Sequence, residues 1–138
     1  MPTEMSVSAV HQDGLRFRAT AREHSLTTDY PLQAGEAGAG MRPLEMLLSS
    51  LSACAGGALV VMLRKSRLPV SGLRVSARGV RQDQHPTVFT DIALDFEVTG
   101  TELRLDDLTR ALAQSEAICP VWSMLKGSVR IASTIRIV

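Results

Sequence analysis

The spacing of apolar side chains changes period along the chain, and each change marks an element. Leu15, Phe17 and Ala19 alternate with Arg16 and Arg18, the period-2 pattern of a strand with one buried face. An extended run over 5–11 precedes it across Asp13-Gly14, two residues that tolerate positive φ and so signal a hairpin. A third extended run over 23–30 stops at Pro31, and residues 33–41 form a glycine-rich loop. Pro43 suits a first helical position, and a helix is predicted over 43–66, ended by Leu68-Pro69. Leu73, Val75 and Ala77 then alternate with Arg74, Ser76 and Arg78. Across a turn at 82–86, Ile92, Leu94, Phe96 and Val98 alternate with Asp91, Ala93, Asp95 and Glu97. These two runs predict a second hairpin, solvated on one side. Leu105, Leu108, Ala111, Leu112 and Ser115 have helical spacing behind acidic Asp106 and Asp107. A short helix should start at Cys119-Pro120 and stop at Gly127, and Val129, Ile131, Ile135 and Ile137 make a last strand. The order βββ-α-ββ-αα-β predicts an α+β fold of antiparallel sheet around a long central helix. All of residues 1–138 are read as one domain, with N-terminal strands over 4–31 and a ββααβ segment over 70–138.

Composition narrows the function classes. A net charge of +1 supplies no field to hold a polyphosphate backbone, and 4% aromatic residues are too few for base-stacking platforms, so no nucleic-acid partner is expected. Residues 46–63 carry no charge, 18 in a row, at the lower edge of a membrane span. Ser49, Ser50, Ser52, Gly56 and Gly57 within that run favour a buried helix, and no membrane is expected. Met1-Pro2-Thr3-Glu4 lacks a basic region followed by an apolar stretch, so the expected compartment is the cytoplasm, where free thiols persist.

The glycine loop lacks the Gly-Lys-Ser/Thr ending of a phosphate loop and has no strand leading into it. His11, His24 and His85 have neither helical i,i+4 partners nor neighbouring cysteines, so no metal and no cofactor are expected. Two cysteines remain. Cys119 stands at a helix start, where free N–H groups and the helix dipole lower a thiol pKa; taken locally, it is the more acidic thiol. Cys54 lies mid-helix on a face shared with Leu47, Ser50, Leu51, Ala58 and Val61, surroundings that keep a thiol inert unless a cation reaches it.

Three segments carry a family resemblance. The run from Arg42-Pro43-Leu44-Glu45-Met46-Leu47-Leu48 into Leu51-Ser52-Ala53-Cys54, continued by Val60-Val61-Met62-Leu63-Arg64-Lys65, resembles the central-helix motif of the OsmC/Ohr family of thiol peroxidases. Gly72-Leu73-Arg74-Val75 and His85-Pro86-Thr87-Val88-Phe89-Thr90 resemble that family's second hairpin. Ser115-Glu116-Ala117-Ile118-Cys119-Pro120-Val121 resembles its second-cysteine motif. The resemblance implies an intertwined homodimer with the long helices at its centre. It makes Cys54 the peroxidatic cysteine and Cys119 the resolving one. An organic hydroperoxide would oxidise Cys54 to a sulfenic acid, Cys119 would condense with it to a disulfide, and an external dithiol, such as a dihydrolipoyl protein, would reduce that disulfide.

The family holds its thiolate with an arginine, and the chain has 13 arginines against two lysines. Arg16, Arg18, Arg22 and Arg42 are all candidates. Where the best-known peroxidase branches have a glutamate directly after the helix proline, this chain has Leu44, with the carboxylate one residue later at Glu45. That departure resembles the general OsmC-like branch. Glu45 lies nine residues from Cys54, about 180° around one helix. Two roles stay open for it: supporting an arginine at a partner's site, or sitting in the first helical turn. Leu47, Leu51, Trp122 and Met124 are candidate apolar lining. A non-catalytic dimer that binds an apolar ligand or transfers sulfur is the competing expectation.

Overall fold

The computed structural model describes residues 3–138, so what was read from Met1 and Pro2 lies outside the described residues. Six strands and three helices follow in the order βββ-α-ββ-αα-β, forming two compact units, Met1–Leu47 and Leu48–Val138.

The first unit is a meander. Strands β1 (Ser8–Asp13), β2 (Arg16–Ala21) and β3 (His24–Thr28) pair antiparallel in that order. The expected face, on which Leu26 pairs with Ala19, stays open: Leu26 is 42% exposed and Phe17 37%. The glycine-rich loop returns along β3, where Thr28 bridges Met41 and Asp29 N–H donates to the Met41 carbonyl at 3.1 Å. Gly40 is required here, because a Cβ would collide with the Thr27 carbonyl.

Helix α1 (Pro43–Lys65) begins in the first unit and continues into the second. Met46 N–H donates to the Arg42 carbonyl at 3.0 Å, and the Glu45 carboxylate accepts the Arg42 N–H at 2.8 Å, closing half of a capping box. The helix ends at Arg67, whose φ of 54° lets Leu68 N–H reach back to the Leu63 carbonyl. Leu51, Ala55, Gly56, Leu59 and Leu63 are buried in one stripe, so one face of α1 packs in the core of the second unit, although its most apolar window has a mean hydropathy of 2.0, high enough for a membrane span. Gly56 lets the helix lie directly on β4: an added Cβ would sit 3.1 Å from Val75 Cγ2.

The second sheet has the order β4-β5-β6, with β4 (Val70–Arg81), β5 (Phe89–Gly100) and β6 (Arg130–Ile137). β4 and β5 pair antiparallel as expected, but β6 runs parallel to β5, correcting the all-antiparallel expectation. The reason is the crossover: α2 (Leu105–Ile118) and α3 (Pro120–Leu125) lie between the two strands and return the chain to the end where β5 began. One face of β5 buries Phe89, Ile92, Leu94, Phe96 and Val98. The other carries Asp91, Asp95 and Glu97, paired to β6 through a two-pronged Arg130–Asp91 contact at 2.7 and 3.0 Å and through Arg136.

Trp122 on α3 is 1% exposed and stacks on Phe96 with ring centroids 6.4 Å apart. Its indole Nε1 is buried with no hydrogen-bond partner among the described residues. The ring therefore stabilises the core while its N–H costs part of that gain. Trp122→Ala should lose about 3–5 kcal/mol by urea unfolding. Trp122→Phe, which keeps an aromatic ring and removes the orphan donor, should lose less than about 1.5 kcal/mol.

Candidate functional site

The two cysteines meet. Cys119 Sγ lies 3.2 Å from Cys54 Sγ in a thiol–thiol hydrogen bond, both residues belonging to the second unit. Each is a free thiol.

Their positions follow from local chemistry. Cys54 is held by the middle of α1, between exposed Ala53 and buried Ala55. Cys119 sits at an elbow between two helices. Pro120 disfavours the helical region for the residue before it, and Cys119 is accordingly extended, at φ −78° and ψ 113°. Its N–H still donates to the Ser115 carbonyl, closing α2, while its own carbonyl accepts Ser123 N–H, opening α3. One residue thus ends one helix and starts the next, and its side chain is fully buried.

Burial reverses the local reading of Cys119 as an acidic thiol. Desolvation pushes its pKa up, and the neighbouring Cys54 sulfur adds to that rise. The N–H groups of Trp122 and Val121 at the start of α3 pull the other way without cancelling it. Cys54 is only partly buried. The pair is therefore asymmetric: Cys54 is partly exposed, and Cys119 is a fully buried thiol with a raised pKa.

Bonded sulfurs are about 2.05 Å apart, so joining these two requires a closure of only about 1.1 Å. The arrangement can hold a reactive oxidised sulfur on Cys54 and capture it from Cys119 without a large rearrangement.

The other sequence-selected residues are distributed as follows. Leu51 is fully buried and Trp122 nearly so, both packed in the core; Leu47 is half-buried; Met124 is 72% exposed. The Glu45 carboxylate accepts the Arg42 N–H at the start of α1. All four candidate arginines lie in the first unit. Arg16 pairs with Asp29 at 3.4 Å, Arg18 donates to the Ser25 hydroxyl at 2.7 Å, and Arg42 lies 5.1 Å over the Tyr30 ring. Arg22 occupies the β2–β3 turn with a φ of 55° and makes no hydrogen bond or ion pair among the described residues.

Asp29 was not singled out by sequence reasoning. It is 7% exposed, and its carboxylate accepts Ala39 N–H at 2.9 Å and the Arg16 guanidinium, pinning the glycine-rich loop ahead of α1. Its signal was present in Asp29-Tyr30-Pro31: an aspartate at a strand end before a loop commonly captures backbone N–H groups.

An α+β chain in which a helix-borne cysteine faces a second cysteine held at a proline elbow is a dithiol protein built on a mixed sheet. Residues 35–134 match the family of OsmC-like proteins, and the chain belongs to that family. Protein YhfA of Escherichia coli strain K12 is 34% identical over 97 residues, covering 70% of this chain and 72% of that protein. The crystal structure of an OsmC-like protein from Mycoplasma pneumoniae superposes with a TM-score of 0.88 at 20% identity, covering 100% of this chain and 99% of that one. The organic hydroperoxide resistance protein OhrB of Bacillus subtilis superposes at 0.71 with 16% identity, covering 97% and 98%. At these identities the superpositions establish the fold.

The Asp29 anchor has a pH signature. The Ala39 N–H, then Arg16 and the Tyr30 N–H, hold its carboxyl below the usual value against the opposing effect of burial. A depressed folded pKa stabilises the fold above the ordinary carboxylate pKa, and that contribution is lost as pH falls through the folded value. The urea midpoint of the parent should therefore exceed that of Asp29→Asn at neutral pH, with the difference shrinking below about pH 4. A difference that stays constant down to pH 2 would contradict this role.

Proposed function

We propose that the protein is a thiol-dependent peroxidase that reduces organic hydroperoxides. The observation that carries this reading is the 3.2 Å contact between a partly exposed and a fully buried thiol. The Cys54 thiolate attacks the distal oxygen of the O–O bond, the alcohol leaves with a proton, and Cys54 becomes a sulfenic acid. Cys119 then attacks the Cys54 sulfur, expelling water and closing a disulfide. A dithiol reductant, such as a dihydrolipoyl protein, restores both thiols. Membership of the OsmC family and the fold shared with a protein named for organic hydroperoxide resistance support this chemistry.

The thiolate is held by an arginine drawn from Arg16, Arg18, Arg22 and Arg42. Arg22, which has no partner among the described residues, is the first to test. Assembly as a homodimer is part of the proposal. The first sheet leaves Val10, Phe17 and Leu26 exposed, and α1 leaves Ser50, Ala53, Gly57 and Val61 exposed along one stripe. A second copy would cover such surfaces, and small residues allow close helix approach. The protein works in the cytoplasm, where a reducing pool keeps both thiols available.

One equivalent of cumene hydroperoxide added to reduced protein should convert two free thiols into one internal disulfide, read by alkylation and intact mass. Cys54→Ser should lower peroxide consumption to the uncatalysed rate, whereas Cys119→Ser should complete about one turnover per chain and leave a sulfenic acid that dimedone captures. If Cys54→Ser consumes peroxide as fast as the parent, the reading fails, and a dimer that binds an apolar ligand or transfers sulfur takes its place. Light scattering should give twice the chain mass for the parent, and Gly57→Trp should shift it towards the single chain.

A further inference from the structure

The disulfide that this site would form has two sulfurs, and a reductant must choose one. We propose that the incoming thiolate attacks Cys54 Sγ and expels Cys119, so the covalent intermediate with the reductant is a mixed disulfide on Cys54. This inference rests on the peroxidase reading for its physiological setting, but the exchange step can be examined apart from it.

Three observations carry it. Cys119 is fully buried, as are Ser115 and Trp122, the residues flanking it on α2 and α3 at 0% and 1% exposure. Cys54, by contrast, is only partly buried. The third is the contact itself: with the sulfurs 3.2 Å apart in the reduced state, a disulfide forms without moving Cys119 outward. Thiol–disulfide exchange needs the attacking sulfur in line with the breaking bond, and access decides which sulfur is struck. An attacker of Cys119 would have to approach from within the core. A second copy of the chain only removes further surface, so the burial of Cys119 holds in any assembly.

The step balances as follows. A thiolate of a dithiol forms a bond to Cys54 Sγ, the Cys54–Cys119 bond breaks, and its electron pair goes to Cys119, which takes a proton. The second thiolate of the reductant then attacks its own mixed-disulfide sulfur, releasing Cys54 as thiolate. The protein gains two electrons, and the dithiol leaves as a cyclic disulfide. Cys119 stays beside Cys54 throughout, so a reductant with one thiol is expelled by Cys119 recapturing Cys54. A reductant with its own second thiol completes the reaction instead.

Protein oxidised with diamide, which closes the disulfide whatever the activity towards peroxides, is mixed with 2-mercaptoethanol, quenched in acid within seconds, alkylated and mapped by peptide mass. The adduct is expected on Cys54, with the alkylated thiol on Cys119; an adduct found mainly on Cys119 overturns the proposal. The same step is read in reverse with dithionitrobenzoate on the folded single-cysteine variants. Cys54→Ser, which retains Cys119, should react at least thirtyfold more slowly than Cys119→Ser, which retains Cys54. Both should react alike in guanidinium, which shows that the folded-state ratio reflects access. A folded-state ratio below threefold, or reversed, overturns the assignment even if peroxide turnover is confirmed. Loss of peroxide turnover with the ratio intact would instead remove the peroxidase reading alone.

Discussion

Pro120 cannot follow a helical residue without a clash, and the second unit is organised around the break this imposes. Because Cys119 is extended, α2 stops and α3 starts in a new direction, with the same residue supplying an N–H to one helix and a carbonyl to the other. The elbow directs a thiol inward instead of along a helix surface. It also places Trp122, less than one turn further on, against Phe96 at the centre of β5. The stack fixes α3 on the sheet, and the sheet in turn supports α1 through the Gly56–Val75 contact. The 3.2 Å sulfur contact is thus the end of a chain of packing constraints, each of which is local and identifiable.

The parallel β5–β6 pair belongs to the same arrangement. Two helices between the strands leave no short hairpin to reverse the direction, and the crossover carries the elbow with it. The edge strand β6 is then tied to β5 on its solvated face by Arg130 and Arg136, which pair with carboxylates that burial on the other face cannot use. Arg130 holds the Asp91 carboxyl below the usual value, in a contact that solvent screens. The apolar face does most of the holding.

Element order and type were legible in the sequence because period is a local property. Alternation in 73–78 and 92–98, helical spacing in 105–115, and the breaks at Pro31, Pro69 and Pro120 each act over a few residues. The half capping box at Glu45 also lies within reach of such reasoning, since the carboxylate is three residues from the N–H that it accepts. Asp29 escaped notice because its main partner, Ala39, is ten residues away across a glycine-rich loop, where no periodic signal survives. The exposed apolar residues of the first sheet show the limit from another side: alternation announces a face to be covered without saying what covers it.

The acidity of Cys119 marks the boundary most clearly. A helix start lowers a thiol pKa, burial raises it, and sequence displays the first effect while hiding the second. Only the tertiary structure decided that burial wins, because desolvation depends on atoms contributed by distant segments. The sequence by itself determined that two cysteines exist, that one stands mid-helix and the other before a proline, and that the elements around them alternate as an α+β chain. That the two sulfurs, 65 residues apart, come into contact with one residue partly exposed and the other fully buried was settled by packing, for proximity across the chain is a property of the fold and of no local run of residues.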